Sequence, residues 1–123
     1  MRFVGDEDGT PAPRLADAGL EVDALEDAWR QTADAIVAML RAGIVHGDLS
    51  AWNLLWHHGR VVVIDLPQAV EVRWSPHAAT LFSRDVRSLT SSLRGMGLEL
   101  DADRVEADLR TRAGLPPAGP LAL

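Results

Sequence analysis

The sequence predicts an α+β fold, mainly α, in which one small β-hairpin sits among three helices, and three observations predict it. Apolar residues recur at helical spacing over residues 23–41 and 78–96, and a shorter helical stretch covers residues 102–112. Between the first two, the period changes. Leu54-Leu55-Trp56 and Val61-Val62-Val63-Ile64 are short β-favouring runs separated by the turn His57-His58-Gly59-Arg60. Finally, 123 residues of which 47% are apolar suffice for one domain with a real core.

Each element has its own signals. In the first helix Val22, Leu25, Trp29, Ile36, Val37 and Leu40 mark one stripe. Asp23, with Glu26 three residues on, is the expected N-cap, and Gly43 the expected left-handed stop after Arg41. In the second helix Phe82, Val86, Leu89, Leu93 and Met96 repeat in steps of four and three, a core stripe too short for a coiled coil, and Gly95 and Gly97 end it. The third helix takes Asp101 or Asp103 as its cap and stops at Gly114. The organisation expected is a segment 1–21 punctuated by glycine and proline, a domain 22–114, and a flexible tail 115–123. Met1–Val4 reads as a short strand or an extended connector.

Composition excludes several functions. Without cysteine there is no disulfide framework and no thiolate metal site. No run approaches the roughly 18 uninterrupted apolar residues of a membrane helix, and acid at Asp6-Glu7-Asp8 breaks any signal-peptide shape, so a cytoplasmic protein is expected. The net charge of −6 argues against a nucleic-acid surface. All twelve basic residues are arginine, so any chemistry that needs a lysine on a phosphate cannot be completed by this chain alone.

The chemistry concentrates in Ile44-Val45-His46-Gly47-Asp48-Leu49-Ser50-Ala51-Trp52-Asn53-Leu54-Leu55. An Asp, four intervening residues and an Asn lead into the hairpin, and Asp65 follows its second strand. Phosphoryl transfer explains the set. The transferred group is strongly negative and magnesium must neutralise it; magnesium prefers oxygen ligands, typically one or two carboxylates plus substrate phosphates. Asn53 offers an amide oxygen and Asp65 a carboxylate, while Asp48 is left to face the attacking hydroxyl or water. An antiparallel hairpin would return the chain from Asn53 to Asp65.

His46-Gly47-Asp48 with Asn53 resembles the catalytic loop of the protein-kinase-like superfamily, aminoglycoside phosphotransferases included. Ile64-Asp65-Leu66-Pro67-Gln68 narrows the resemblance to RIO kinases, whose metal-binding segment reads Ile-Asp-x-x-Gln. Pro76-His77-Ala78, Arg84-Asp85-Val86 and the hinge-like Met1-Arg2-Phe3-Val4-Gly5 with Pro11-Ala12-Pro13 extend the likeness over residues 1 to about 110. The resemblance implies the carboxyl-terminal lobe of a kinase-like fold, with the metal site on the hairpin, and a serine/threonine protein kinase or ATPase that uses Mg2+ and ATP. It implies Asp48 as the catalytic aspartate, Asn53 and Asp65 as magnesium ligands, and Asp65 also as a possible aspartyl-phosphate site. It further implies that backbone groups at Phe3 and Val4 meet the adenine, and that Asp85 braces the catalytic loop. With Met1 at the hinge, the amino-terminal lobe, with its glycine-rich loop and lysine, falls outside these residues. The expected partners are then ATP, a protein substrate of unknown identity, and either a separate amino-terminal lobe or a second copy of the chain. Two other readings compete, a non-catalytic pseudokinase binding module and a small-molecule phosphotransferase; Ile-Asp-x-x-Gln disfavours the latter.

Plainer roles compete at several positions. His46, with His57, His58 and His77, fits no standard zinc spacing and is better read as bracing the loop through backbone hydrogen bonds. Ser50 lacks the glycines of a nucleophile elbow and suits a turn or cap. Trp52, Trp56 and Trp74 fit two readings, a partner surface and apolar area left by an absent lobe.

Overall fold

The structure, a computed structural model, describes residue 5 and residues 10–64, 69–72 and 75–121. Three helices carry the core: α1 (Val22–Arg41), α2 (Ala78–Gly95) and α3 (Ala102–Arg112). Between α1 and α2 come β1 (Ile44–Val45), β2 (Leu54–His57), β3 (Arg60–Val63) and β4 (Val70–Glu71). Phe3, Val4, Asp65, Gln68 and Trp74 lie outside the described residues.

The α1 stripe packs where the periodicity put it: Leu25, Ala28, Ala33, Ile36, Val37 and Leu40 are buried, and Trp29 packs against them. Its start differs from the expectation. The helix begins at Val22, which is 54% exposed, and Glu21 precedes it in extended backbone without a side-chain cap. Asp23 is therefore inside the first turn, where its carboxylate faces the positive end of the helix dipole instead of capping it. Gly43, at φ +76°, ends the helix in the left-handed region. In α2 the buried face is Ala78, Phe82, Asp85, Val86, Leu89, Thr90 and Leu93. α3 packs on both other helices. Asp101 caps it, its carboxylate accepting from the N–H groups of Asp103 and Arg104.

After α3 no regular element follows among the described residues, yet the chain is tied back. The buried Arg110 guanidinium bonds Glu106 and the Gly119 carbonyl, and Leu121 reaches the core.

The hairpin pairs Leu54 with Val63 and His57 with Arg60. Its two central residues, His58 and Gly59, both have positive φ (49° and 76°), the geometry of a type I′ turn, whose twist suits a tight hairpin. Gln31 of α1 docks the turn: its side chain donates to the Gly59 carbonyl at 2.8 Å and accepts from Val61 N–H at 2.9 Å. On the other edge Trp56 N–H donates to the Pro13 carbonyl.

A second two-stranded ladder, which the sequence had not indicated, pairs β1 with β4 antiparallel, Ile44 opposite Glu71 and Val45 opposite Val70. Val72 N–H extends it onto the Gly43 carbonyl. Small sheets and three helices thus make the mixed α+β fold expected, with two short ladders rather than one hairpin. No described helix is long and apolar enough to cross a membrane.

Candidate active site

The loop between β1 and β2 presents Asp48 and Asn53. Asp48 is exposed, whereas the residues around it are buried: His46 at 2% and Asn53 at 7% exposure. This contrast follows from how the backbone is held. Asp85, buried on α2, accepts the N–H of Gly47 at 2.8 Å and that of Leu49 at 3.1 Å, one through each carboxylate oxygen. Two charge-assisted bonds flanking Asp48 leave its own side chain turned outward. Arg84, its neighbour on α2, donates to the Gly47 carbonyl at 3.0 Å. Gly47 itself sits at φ +91°, a conformation that glycine adopts without strain.

His46 is bonded on both ring nitrogens. Nδ1 accepts the N–H of Asp48 at 3.2 Å, so the ring proton is assigned to Nε2, which donates to the Ile64 carbonyl at 2.8 Å. The imidazole therefore bridges the Asp48 loop and the end of β3.

Asn53 ends a single 3-10 turn, Ala51–Asn53. Ser50 caps that turn by accepting Trp52 N–H at 3.2 Å, and its hydroxyl donates to Asn53 Oδ1 at 2.9 Å. The Asn53 carbonyl accepts Ile64 N–H at 2.8 Å. Ile64 is thus held at both its N–H and its C=O, and it is the last described residue before Asp65. Across the segment 65–68, Val70 pairs with Val45, the residue before His46. The Ile64 end is thus bonded to His46 and Asn53, and beyond the other end Val70 pairs with the β1 residue that leads into the loop.

Of the expected site residues, the structure places Asp48 and Asn53 on one braced loop; Phe3, Val4 and Asp65 lie outside the described residues. Among those described, no group of three or more His, Cys, Asp and Glu side chains is placed to hold a metal ion. Magnesium needs few protein ligands, since water and phosphate oxygens complete its shell, and of the two ligands the resemblance implies only Asn53 lies among the described residues. The Ser50 hydroxyl orients the buried Asn53 amide oxygen by donating to it. A groove of about 650 Å³, lined by Ser91, Arg94, Gly95, Leu98, Glu99, Leu100 and Asp101, takes no residue of the loop.

Trp52 is 52% exposed, with the Arg14 guanidinium 5.9 Å from its ring centroid. Trp56 is partly buried against the core. Sequence reasoning missed two holders of the loop, Arg84 and Ser92, whose hydroxyl oxygen accepts the Ala51 N–H. Their signal lies in α2 itself, where position 92 falls seven residues after Asp85 and so on the same helix face.

Comparison with known proteins identifies the family. The pattern of the RIO domain matches residues 1–105. The chain is 39% identical over 103 residues to the RIO-type serine/threonine-protein kinase Rio1 of Haloferax volcanii, covering 84% of this chain and 34% of that protein. With Rio1 of Thermoplasma acidophilum it shares 35% over 112 residues, 91% of this chain and 56% of the relative. With the serine/threonine-protein kinase RIO3 of Bos taurus it shares 35% over 100 residues, 80% of this chain and 19% of the relative. This chain belongs to the RIO domain family, and it spans between about a fifth and somewhat over half of these relatives' lengths.

Proposed function

We propose that this chain is the magnesium- and nucleotide-holding lobe of a RIO-type serine/threonine kinase or ATPase. Asp48 is the base or orienting group, Asn53 and Asp65 hold magnesium, and backbone near Phe3 and Val4 contacts the adenine of ATP. The observation that carries this reading is the double tether of Ile64 to His46 and Asn53, which ties the chain next to Asp65 to the Asp48 loop.

Magnesium, when bound, would neutralise charge on the phosphate oxygens. Everything else falls to the chain. Asp48, exposed on a rigid backbone, accepts the proton of an attacking hydroxyl or water. The Ser50 hydroxyl fixes the orientation of the Asn53 amide by donating to its oxygen. Asp65 is in addition a candidate phosphate acceptor: its carboxylate oxygen would attack the terminal phosphorus, ADP would leave, and water would later release the phosphate. The phosphoacceptor is a protein serine or threonine or, in the ATPase reading, water, and the protein is assigned to the cytoplasm. The chain has no lysine, so a lysine on the phosphates would have to come from outside these 123 residues.

The test is release of phosphate from ATP, and its transfer to protein, with and without Mg2+. Asp48→Ala should lower magnesium-dependent turnover by about 10² to 10⁴ while nucleotide affinity stays close to the parent's. Turnover that survives this change contradicts the role of Asp48. A second reading, a non-catalytic binding module, draws on the exposed Trp52 beside Arg14. It predicts ATP binding without turnover in the parent chain.

A further inference from the structure

The loop is suspended from α2 at two separate places. Asp85 takes the N–H groups of Gly47 and Leu49, on either side of Asp48. Two helical turns on, Ser92 takes the N–H of Ala51 at 3.1 Å. The Ser92 hydroxyl proton is already committed, donated to the Leu89 carbonyl at 2.9 Å, so a lone pair is fixed toward Ala51. Ala51 is the first residue of the 3-10 turn that ends at Asn53, and its own side chain is fully buried. The turn therefore cannot rotate without breaking the Ser92 bond or moving Ala51 out of the core.

We propose that Ser92 is a positioning residue for Asn53, setting the amide oxygen through Ala51, as Asp85 sets Asp48 through Gly47 and Leu49. This rests on the reading of Asn53 as a magnesium-side residue, and it divides the brace into two halves. The carboxylate of α2 serves the proton-accepting side of the site and the hydroxyl serves the metal side. A serine that bonded only the carbonyl three residues back would be an ordinary satisfied helix residue. The bond out to Ala51 is what distinguishes this one.

The experiment is amide NMR on the 123-residue chain, comparing the parent with Ser92→Ala and Ser92→Thr. Alanine is a good helix former, so α2 should persist, and circular dichroism confirms it. In the absence of metal, Ser92→Ala should speed exchange of the Ala51 amide about fivefold or more and shift the Asn53 side-chain amide resonances. Gly47 and Leu49 should be unaffected, and Ser92→Thr should restore the parent spectrum. Unmoved Asn53 resonances in Ser92→Ala would overturn the proposal. In a second arm Mg2+ is titrated. Ser92→Ala should weaken the Asn53 response about tenfold or more, the usual effect of removing a group that orients a ligand. If the parent's Asn53 does not respond to Mg2+, the metal-site reading falls while the first arm still decides the role of Ser92.

Discussion

The imidazole Nε2 of His46 lies 2.8 Å from the carbonyl oxygen of Ile64, and this single ring joins the Asp48 loop to the strand that leads toward Asp65. A buried histidine with both nitrogens bonded to backbone behaves as a fixed strut. Replacing it by alanine leaves the Asp48 N–H and the Ile64 carbonyl without their partner. His46→Ala should cost about 1–3 kcal/mol in chemical denaturation, the usual effect of orphaning buried polar groups. A stability equal to the parent's would show that water replaces the ring at no cost.

Asp85 is the other fixed point. Asp85→Asn keeps the shape but replaces one accepting oxygen by an NH2 that faces a backbone N–H, so one of the two charge-assisted bonds is lost. The expected loss is about 1.5–3 kcal/mol, read by urea denaturation. Amide exchange should quicken at Gly47 or Leu49 and stay unchanged at Val61, on the far side of the hairpin.

Gln31 makes a prediction for the hairpin. Its amide fastens the type I′ turn to α1, and Asp27 in turn accepts from Gln31 Nε2 at 3.0 Å. Gln31→Ala should destabilise the fold by about 0.5–1.5 kcal/mol per bond lost and raise amide exchange at Val61.

Asp27 adds a pH dependence. Hydrogen bonds from Arg30 first, and then from Gln31, hold its carboxyl below the ordinary value of 3.8. A carboxylate with a lowered pKa stabilises the fold above its unfolded-state pKa and ceases to do so as pH falls through the folded value. The contribution should therefore be constant from neutral pH down to about pH 4 and fade below it. Asp27→Asn should remove that acid-side change in a pH series of melting curves.

Much of the fold was legible because the period was long and clean. The stripes Leu25–Leu40 and Phe82–Leu93 are the buried faces of α1 and α2, and the Asp101 cap and the turn at Gly59 were marked by their own residue types. What escaped is non-local or too short to carry a pattern. The β1–β4 ladder has two residues a side, and its pairing depends on a return of the chain that no local signal encodes. The start of α1 was misplaced because an acidic residue three before a glutamate also suits the first turn of a helix already begun. At the candidate site, the histidine, the aspartates and the asparagine stood out because chemistry restricts them to few residue types. Ser92 did not, since a serine on a helix is common and only the fold brings it to Ala51.

The central claim is that Asp48, Asn53 and Asp65 form one magnesium and nucleotide site. Calorimetric titration of ATP into the 123-residue chain, with and without Mg2+, tests it most directly. Magnesium-dependent binding that disappears in Asp65→Ala is the result expected. Binding that is unchanged in Asp65→Ala, or indifferent to magnesium, would contradict it.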